Sequence, residues 1–220
     1  MKIHIEDVTK TYSRNSEDFN AIDHISLNIN EGDFAAILGK SGSGKSTLIN
    51  VLAGVLTPNE GSVKYDDFEI TGETDKKVSE FRNKKIGYIG QGYTLLSNLS
   101  VYENIYLVSG LYGNGSKEID NLLDKLGILH LRDSYPGQLS GGEIRRAAIA
   151  RALINQPEVV LADEPTGDLD PENTEIVLKQ FKELSETGKT VVMVTHDSDA
   201  LKYADTVYEM KNGKLDLGEK

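Results

Sequence analysis

The chain has 220 residues, enough for one large domain or for a core with a subdomain. It contains no cysteine, which excludes disulfides and thiolate zinc sites, and its formal net charge of -11 argues against nonspecific binding to nucleic acid or anionic lipid. No apolar run approaches the roughly 20 residues of a membrane helix, and charged side chains stand where a signal peptide has its apolar stretch. Composition therefore predicts a globular protein that stays in the cytoplasm.

The first part of the chain favours an antiparallel sheet. Residues 3–8 and 22–29 alternate apolar and polar side chains, as half-buried strands do. We interpret the polar stretch Thr11–Phe19 between them as a loop and residues 61–70 as another hairpin. This sheet is expected to pack beside a buried core.

A glycine-rich loop follows the first buried strand. The apolar run Phe34–Leu38 predicts the strand, and Ser46–Ala53 predicts a helix that ends at Gly54. Between them the chain fits the phosphate-binding pattern G-x-x-x-x-G-K-[ST], in which backbone N–H groups and a helix N-terminus face a phosphate chain. Lys45 would reach the β and γ phosphates and the Ser46 hydroxyl would ligate Mg²⁺. A Gly/Ser-rich loop without a ligand is the alternative, which the flanking strand and helix disfavour. The nucleotide-binding residues predicted here are Gly39, Lys40, Ser41, Gly42, Ser43, Gly44, Lys45, Ser46 and Thr47.

Helical spacing replaces the strand pattern between residues 92 and 156. Apolar residues recur at helical intervals over Val101–Leu111, Ile119–Leu126 and Glu143–Ile154. We therefore expect a helical subdomain over 92–156, inserted in a core that comprises 1–91 and 157–220. The core is predicted to contain strands at 86–89, 158–162 and 190–194, a helix at about 171–187, and a short helix with two strands after Asp197.

Two acids follow the apolar strand that ends at Ala162. The carboxyl ends of parallel strands are where α/β sheets place ligands, so Asp163 could hold Mg²⁺ and Glu164 could polarise the water that attacks the γ-phosphate. Two solvated acids that end a strand are the alternative, and the nearby phosphate-binding loop weighs against it.

Gln91 and His196 follow two other core strands. Gln91 could ligate Mg²⁺ and sense the γ-phosphate, and His196 could hydrogen-bond that phosphate and orient the water. Taken alone, the first would more often be a surface glutamine and the second a structural histidine.

The run Leu139–Glu143 precedes an Ala/Arg-rich helix. A serine and two glycines at a helix N-terminus make a second candidate anion site, although an ordinary N-cap explains the same residues. Two separated phosphate-binding helix ends in one chain suggest a nucleotide held between two copies. The candidate residues are Ser140, Gly141, Gly142 and Glu143.

These motifs together resemble the ATP-binding subunits of ABC transporters over essentially the whole chain. Leu139–Glu143 is similar to the family signature, residues 39–47 to Walker A and Val159–Glu164 to Walker B with the catalytic glutamate. The resemblance assigns Tyr12 to adenine stacking, Gln91 to the Q-loop, Asp168 to the D-loop and His196 to the switch histidine.

The macrolide-export and lipoprotein-release branch is the one that the chain resembles most. Tyr135-Pro136, Glu143, Glu164–Gly167 and Val101–Ile105 carry this similarity, together with Tyr93, Leu95 and Leu96 after Gln91. The run Ile144–Ala148 departs from the Gln-rich run that is usual there.

The resemblance implies an α/β P-loop NTPase with a RecA-like core, an antiparallel β-subdomain and an inserted helical subdomain. It implies an ATPase that binds ATP and Mg²⁺ through Ser46, Gln91 and Asp163, with Glu164, His196 and Lys45 as catalytic residues. Two copies would close head-to-tail and drive a membrane permease from the inner face of the cell membrane, in export or extraction of a peptide, lipoprotein or antibiotic. A membrane partner that signals instead of transporting remains open. A soluble ABC ATPase that acts on nucleic acid or the ribosome is disfavoured, because no tandem cassette, large insertion or basic surface is evident.

Overall fold

The computed structural model describes residues 1–14, 16–92, 95–109, 116–167 and 169–218. Its strands are β1 Ile3–Arg14, β2 Glu17–Ile29, β3 Phe34–Leu38, β4 Glu60–Tyr65, β5 Phe68–Glu69, β6 Ile86–Ile89, β7 Val159–Asp163, β8 Thr190–Thr195, β9 Thr206–Lys211 and β10 Lys214–Leu217. Its α-helices are α1 Lys45–Leu52, α2 Asp75–Lys85, α3 Val101–Ser109, α4 Ser116–Lys125, α5 Gly141–Leu153 and α6 Pro171–Glu186. The predicted α/β class is confirmed.

The strands form two sheets of different character. One is antiparallel, in the order β2-β1-β4-β5, and the other has the order β10-β9-β3-β8-β7-β6, with antiparallel pairing only at its β10 edge. In the second sheet the carboxyl ends of neighbouring strands lie in register, since Leu38 pairs with Thr195 and Asp163 with Val194. The loops that follow β3, β6, β7 and β8 therefore emerge at one edge of the sheet.

Helix α1 lies between the two sheets. Its buried Leu48, Ile49 and Leu52 belong to one apolar cluster with side chains of β1, β4 and one face of β7 and β8. Val160 and Met193 point to the opposite face, where a second cluster contains residues of α3, α4, α5 and α6. Both β7 and β8 are buried throughout, as expected for strands covered on both faces.

The prediction of a loop at Thr11–Phe19 is wrong, because residues 11–14 and 17–19 belong to the paired strands of the β1–β2 hairpin. The ladder continues to the Arg14–Glu17 pair, and Tyr12 lies opposite Phe19. Their rings contact each other with centroids 6.0 Å apart. Cross-strand aromatic pairs of this kind stabilise a ribbon whose remaining side chains are polar and exposed.

Most other predicted elements are confirmed, and one helix was missed. The strands predicted at 86–89, 158–162 and 190–194 are present, and each end lies within one residue of the prediction. The helices predicted at 119–126, 143–154 and 171–187 are also present, with ends within three residues of the prediction. The helix predicted at 101–111 ends at Ser109 in the described residues. Helix α2 had no predictable apolar period, since Val78 and Phe81 are its only apolar residues.

Helices α3, α4 and α5 all lie between β6 and β7 along the chain and pack on one another. The division into a helical subdomain at 92–156 and a core over 1–91 and 157–220 stays a prediction. Among the described residues, we find no helix with the length and apolar character needed to cross a bilayer.

Candidate functional site

The loop between β3 and α1 ends in an uncapped helix. The N-cap is Gly44, at φ 109°, and no side chain caps the first turn of α1. A Cβ at Gly44 would clash with the Ala21 carbonyl oxygen, so the position requires glycine. The first N–H groups of α1 are therefore available to an anion.

Lys45 folds back over this loop. Its Nζ donates to the carbonyl oxygens of Gly39, at 2.6 Å, and Lys40, at 3.2 Å, and only 7% of the side chain is exposed. The same Nζ lies 3.8 Å from Glu164 Oε1. The ammonium group is thus held at the loop by oxygen atoms that a phosphate could replace.

Asp163 lies directly beneath the loop, at the end of β7. Its Oδ1 is buried without a hydrogen-bond partner among the described residues, and the Ser46 hydroxyl lies close enough to influence its titration. Burial raises the pKa of Asp163, the Glu164 charge raises it further, and Ser46, Lys45 and Arg145 oppose the shift. A buried carboxylate oxygen without a donor, next to a hydroxyl, fits a hard cation.

Glu164 stands in an uncommon backbone conformation, with φ at 49°. Its N–H donates to the Val194 carbonyl over 2.9 Å, which ties the end of β7 to β8. His196 Nδ1 lies 2.9 Å from Glu164 Oε2, and His196 itself is 70% exposed. The carboxylate therefore lies between Lys45 on one side and His196 on the other.

A cavity of about 930 Å³ opens over these groups. Tyr12 and Phe19 line it, and Gly167 and Arg145 are also part of its wall. The sequence-predicted residues that line it are Tyr12, Lys40, Ser41, Gly42, Gly44, Lys45, Ser46, Thr47, Gln91, Glu164 and His196. Its size suits a nucleoside triphosphate.

Other predicted site residues lie elsewhere. Gly39, Ser43 and Asp163 belong to the same loop and strand end without lining the cavity, and Asp163 and Ser43 are buried. Asp168 and Tyr93 lie outside the described residues. Ser140, Gly141, Gly142 and Glu143 do not line the cavity, although they belong to the same chain.

The N-terminus of α5 carries a complete capping box. The Ser140 N–H and hydroxyl donate to Glu143 Oε2 over 2.7 and 2.8 Å, and the Ser140 oxygen accepts from the Glu143 N–H. The ordinary N-cap considered as an alternative is therefore present. The Ser140 N–H and then its hydroxyl hold the pKa of Glu143 below its usual value.

Sequence reasoning missed Phe19 and Arg145. Phe19 reaches the cavity because the hairpin register sets it opposite Tyr12, and no spacing rule gives that register in advance. Arg145 is read from sequence as a polar helix residue, yet it is 6% exposed and its Nη1 donates to the Glu164 carbonyl. A buried arginine becomes evident only when α5 is packed against the sheet.

Residues 22–167 match the family model described as "ABC transporter". The macrolide export ATP-binding/permease protein MacB of Chlorobaculum tepidum is 40% identical over 214 residues, which are 96% of this chain and 33% of that protein. This chain thus spans about a third of the length of that relative. The uncharacterized ABC transporter ATP-binding protein YvrO of Bacillus subtilis is 38% identical over 221 residues, 98% of this chain and 96% of that one.

Solved structures agree with these relatives. The ATP-binding cassette MJ0796, in a dimeric post-hydrolysis state bound to ADP and Pi, superposes with a TM-score of 0.92. It is 34% identical and the match covers 99% of both chains. The predicted fold, a P-loop NTPase of the ABC type that binds and hydrolyses ATP, is therefore confirmed. This chain belongs to the ABC transporter family and is one of its ATP-hydrolysing cassettes.

Proposed function

We propose that two copies of this chain close head-to-tail over two ATP molecules. The observation that supports this most directly is the separation of the two candidate anion sites. The uncapped end of α1 lies in the cavity, whereas Ser140, Gly141 and Gly142 at the end of α5 do not line it. A second copy would bring its α5 to this cavity, and the dimeric MJ0796 structures are relatives in which two cassettes associate.

The cavity residues then take distinct roles. Tyr12 stacks on the base, the amides of residues 39–47 bind phosphate oxygens, and Lys45 exchanges its loop carbonyls for the β and γ phosphates. Glu164 polarises the attacking water and accepts a proton from it. His196, which is already bonded to Glu164, orients that water. Asp168 is assigned to the contact between copies by the family resemblance.

Oxygen donors beside the loop fit Mg²⁺. Asp163 Oδ1 is buried and unpaired among the described residues, and Ser46 and Gln91 line the cavity beside it. The described residues hold no group of three or more His, Asp or Glu side chains that would bind a metal alone. This agrees with an ion bound by a few protein oxygens together with phosphates. Bound there, Mg²⁺ would neutralise phosphate charge.

A membrane permease is the partner that this ATPase would drive, from the inner face of the cell membrane. MacB is named as an ATP-binding/permease protein, which supports a permease partner and export as the direction. Leu96, in the segment between Gln91 and α3, is 45% exposed, whereas Leu95 packs against the second apolar cluster. Buried Asn104 holds the segment, accepting from the Leu96 N–H over 2.7 Å and donating to the carbonyls of Leu96 and Leu99. An exposed leucine on a fixed loop suits an apolar contact with a permease helix.

Association driven by ATP is the test of the shared site. Glu164→Gln should bind ATP and hydrolyse it only very slowly, so light scattering with ATP and Mg²⁺ should show a dimer and ADP should leave a monomer. A persistent monomer with ATP at high protein concentration would count against the head-to-tail model.

Permease docking is tested with Leu96→Glu. The isolated variant should stay folded and hydrolyse ATP, yet lose the membrane protein that copurifies with the wild type, because a carboxylate in an apolar contact must be desolvated. Leu217→Glu is the matched control, since Leu217 is 75% exposed on β10, and it should retain the partner. Normal copurification with Leu96→Glu would place the docking surface elsewhere, and the identity of the partner would separate transport from signalling.

A further inference from the structure

Arg145 connects the helix that carries the signature to the end of β7. It lies little more than one helical turn after the N-cap Ser140 and is 6% exposed. A guanidinium stays protonated in proteins, so its burial requires acceptors. One acceptor is the Glu164 backbone carbonyl, to which Nη1 donates.

The backbone that Arg145 contacts is strained. Glu164 has φ at 49°, a left-handed conformation that is costly for a non-glycine residue and persists only where surrounding contacts compensate for it. Its N–H is fixed by Val194, and its carbonyl also accepts from the Gly167 N–H over 3.2 Å. A Cβ at Gly167 would lie 3.2 Å from Arg145 Nη1, so the guanidinium fits closely over that glycine.

This backbone sets the direction of the Glu164 carboxylate. The carboxylate contacts His196 and Lys45 from a backbone that could otherwise relax to the ordinary helical or extended regions. Lys45 and His196 hold its oxygens, and neither contacts its peptide carbonyl in the described structure. Arg145, on α5, does contact this carbonyl, because its Nη1 donates a hydrogen bond to it.

We infer that Arg145 is a positioning residue, which holds the Glu164–Gly167 turn so that the Glu164 carboxylate meets the attacking water. The inference rests on the proposed role of Glu164 as the base. With this role for Arg145, helix α5 would serve two sites. Its N-terminus would face the nucleotide bound mainly by the other copy, while its second turn orients the base of its own copy.

The test is a double-mutant cycle on the whole chain. Arg145→Gln should lower kcat about tenfold, with the dissociation constant for ATP within about twofold of the wild type, because the lost contact acts on the reacting step. Arg145→Lys retains one cationic donor and should recover part of the loss. In a Glu164→Gln background, Arg145→Gln should lower residual single-turnover hydrolysis by less than about twofold, since a positioning residue has no effect once its target is gone.

Arg132→Gln is the charge-matched control. Arg132 pairs with Asp120 and Asp133, away from the cavity, and its loss should leave kcat within about twofold of the wild type.

A kcat loss for Arg145→Gln that persists undiminished in the Glu164→Gln background would overturn the inference. A parallel loss of ATP affinity would also overturn it, because that would indicate phosphate contact. Thermal melting of each variant shows whether it is folded. If Glu164→Gln alone keeps near-wild-type turnover, the proposed base and this inference both fail. A Glu164→Gln variant with only residual hydrolysis, together with an unaffected Arg145→Gln, defeats the inference alone.

Discussion

The N-termini of α1 and α5 are both built from serine and glycine, yet they satisfy their backbone groups in opposite ways. At α1 the N-cap is Gly44, with no side-chain cap and no acid in the first turn. At α5 the Ser140 N–H and hydroxyl are both bonded to Glu143. One end is open to a ligand, and the other is closed by a carboxylate of its own chain.

This difference implies an order of binding. An anion at α1 meets unpaired N–H groups and a lysine, whereas an anion at α5 meets the negative charge of Glu143 at close range. If the α5 end binds phosphate as proposed, it therefore needs one that is already held by something else. In the proposed dimer, ATP binds first to α1 of one copy, and α5 of the other copy closes on it afterwards.

The largest effect is expected from Lys45→Ala, which removes a phosphate ligand at the α1 end. The variant loses a charge-assisted bond to phosphate, so ATP affinity should fall about 10- to 100-fold and turnover should be lost. Fluorescent nucleotide titration and steady-state ATPase assays measure both. His196→Ala is the contrast: its affinity should stay within about twofold while kcat falls, because the histidine acts on the reacting water. Equal losses of affinity in the two variants would refute the role given to His196.

A smaller effect is expected from Ser140→Ala at the α5 end. Loss of the cap should cost about 1 kcal/mol of unfolding free energy and weaken the ATP-driven dimer of Glu164→Gln, without changing ATP affinity of the monomer. Ser100→Ala is a matched control, because Ser100 and Glu103 form the same reciprocal bonds before α3. The control should lose similar stability and dimerise normally. If both variants dimerise equally well, α5 is an ordinary capped helix.

The smallest effect concerns the charge of Glu143. Its pKa in the folded chain is lowered, so it contributes stability above its unfolded pKa of about 4.3, and this is lost as pH falls through the lower folded value. Glu143→Gln removes that contribution, about 0.5 kcal/mol. Urea unfolding at pH 7 and pH 4 should therefore show a slightly smaller acid destabilisation in the variant. A larger acid destabilisation in Glu143→Gln would contradict the capping role.

Elements buried on both faces could be predicted from the sequence. Runs such as 34–38 and 191–194 are wholly apolar, and their length indicates strands. The loop that follows 34–38 was predictable for a different reason, since phosphate binding requires glycines at fixed spacing. The family's ordered motifs then indicated the remaining strand-end residues.

What the sequence did not reveal depends on partners distant in the chain. The outer β1–β2 ribbon has a polar sequence, and its pairing depends on register. Helix α2 has only two apolar residues, Val78 and Phe81, so it shows no apolar stripe. The buried guanidinium of Arg145 and the unpaired Oδ1 of Asp163 follow from how α5 and α1 pack on the sheet. Local patterns carry no information on such contacts.

The Tyr12–Phe19 pair has a consequence for the choice of nucleotide. The two rings line the cavity, on a part of the β1–β2 ribbon beyond Thr9, the last residue of β1 that pairs with β4. Aromatic faces bind bases through the area of their π systems and read little of the hydrogen-bonding pattern at their edges. With the proposed stacking on Tyr12, purine triphosphates are favoured over pyrimidine ones by ring area, while adenine and guanine are separated only weakly. The concentration of ATP in the cell, more than the shape of this pocket, would then decide which nucleotide the cassette hydrolyses.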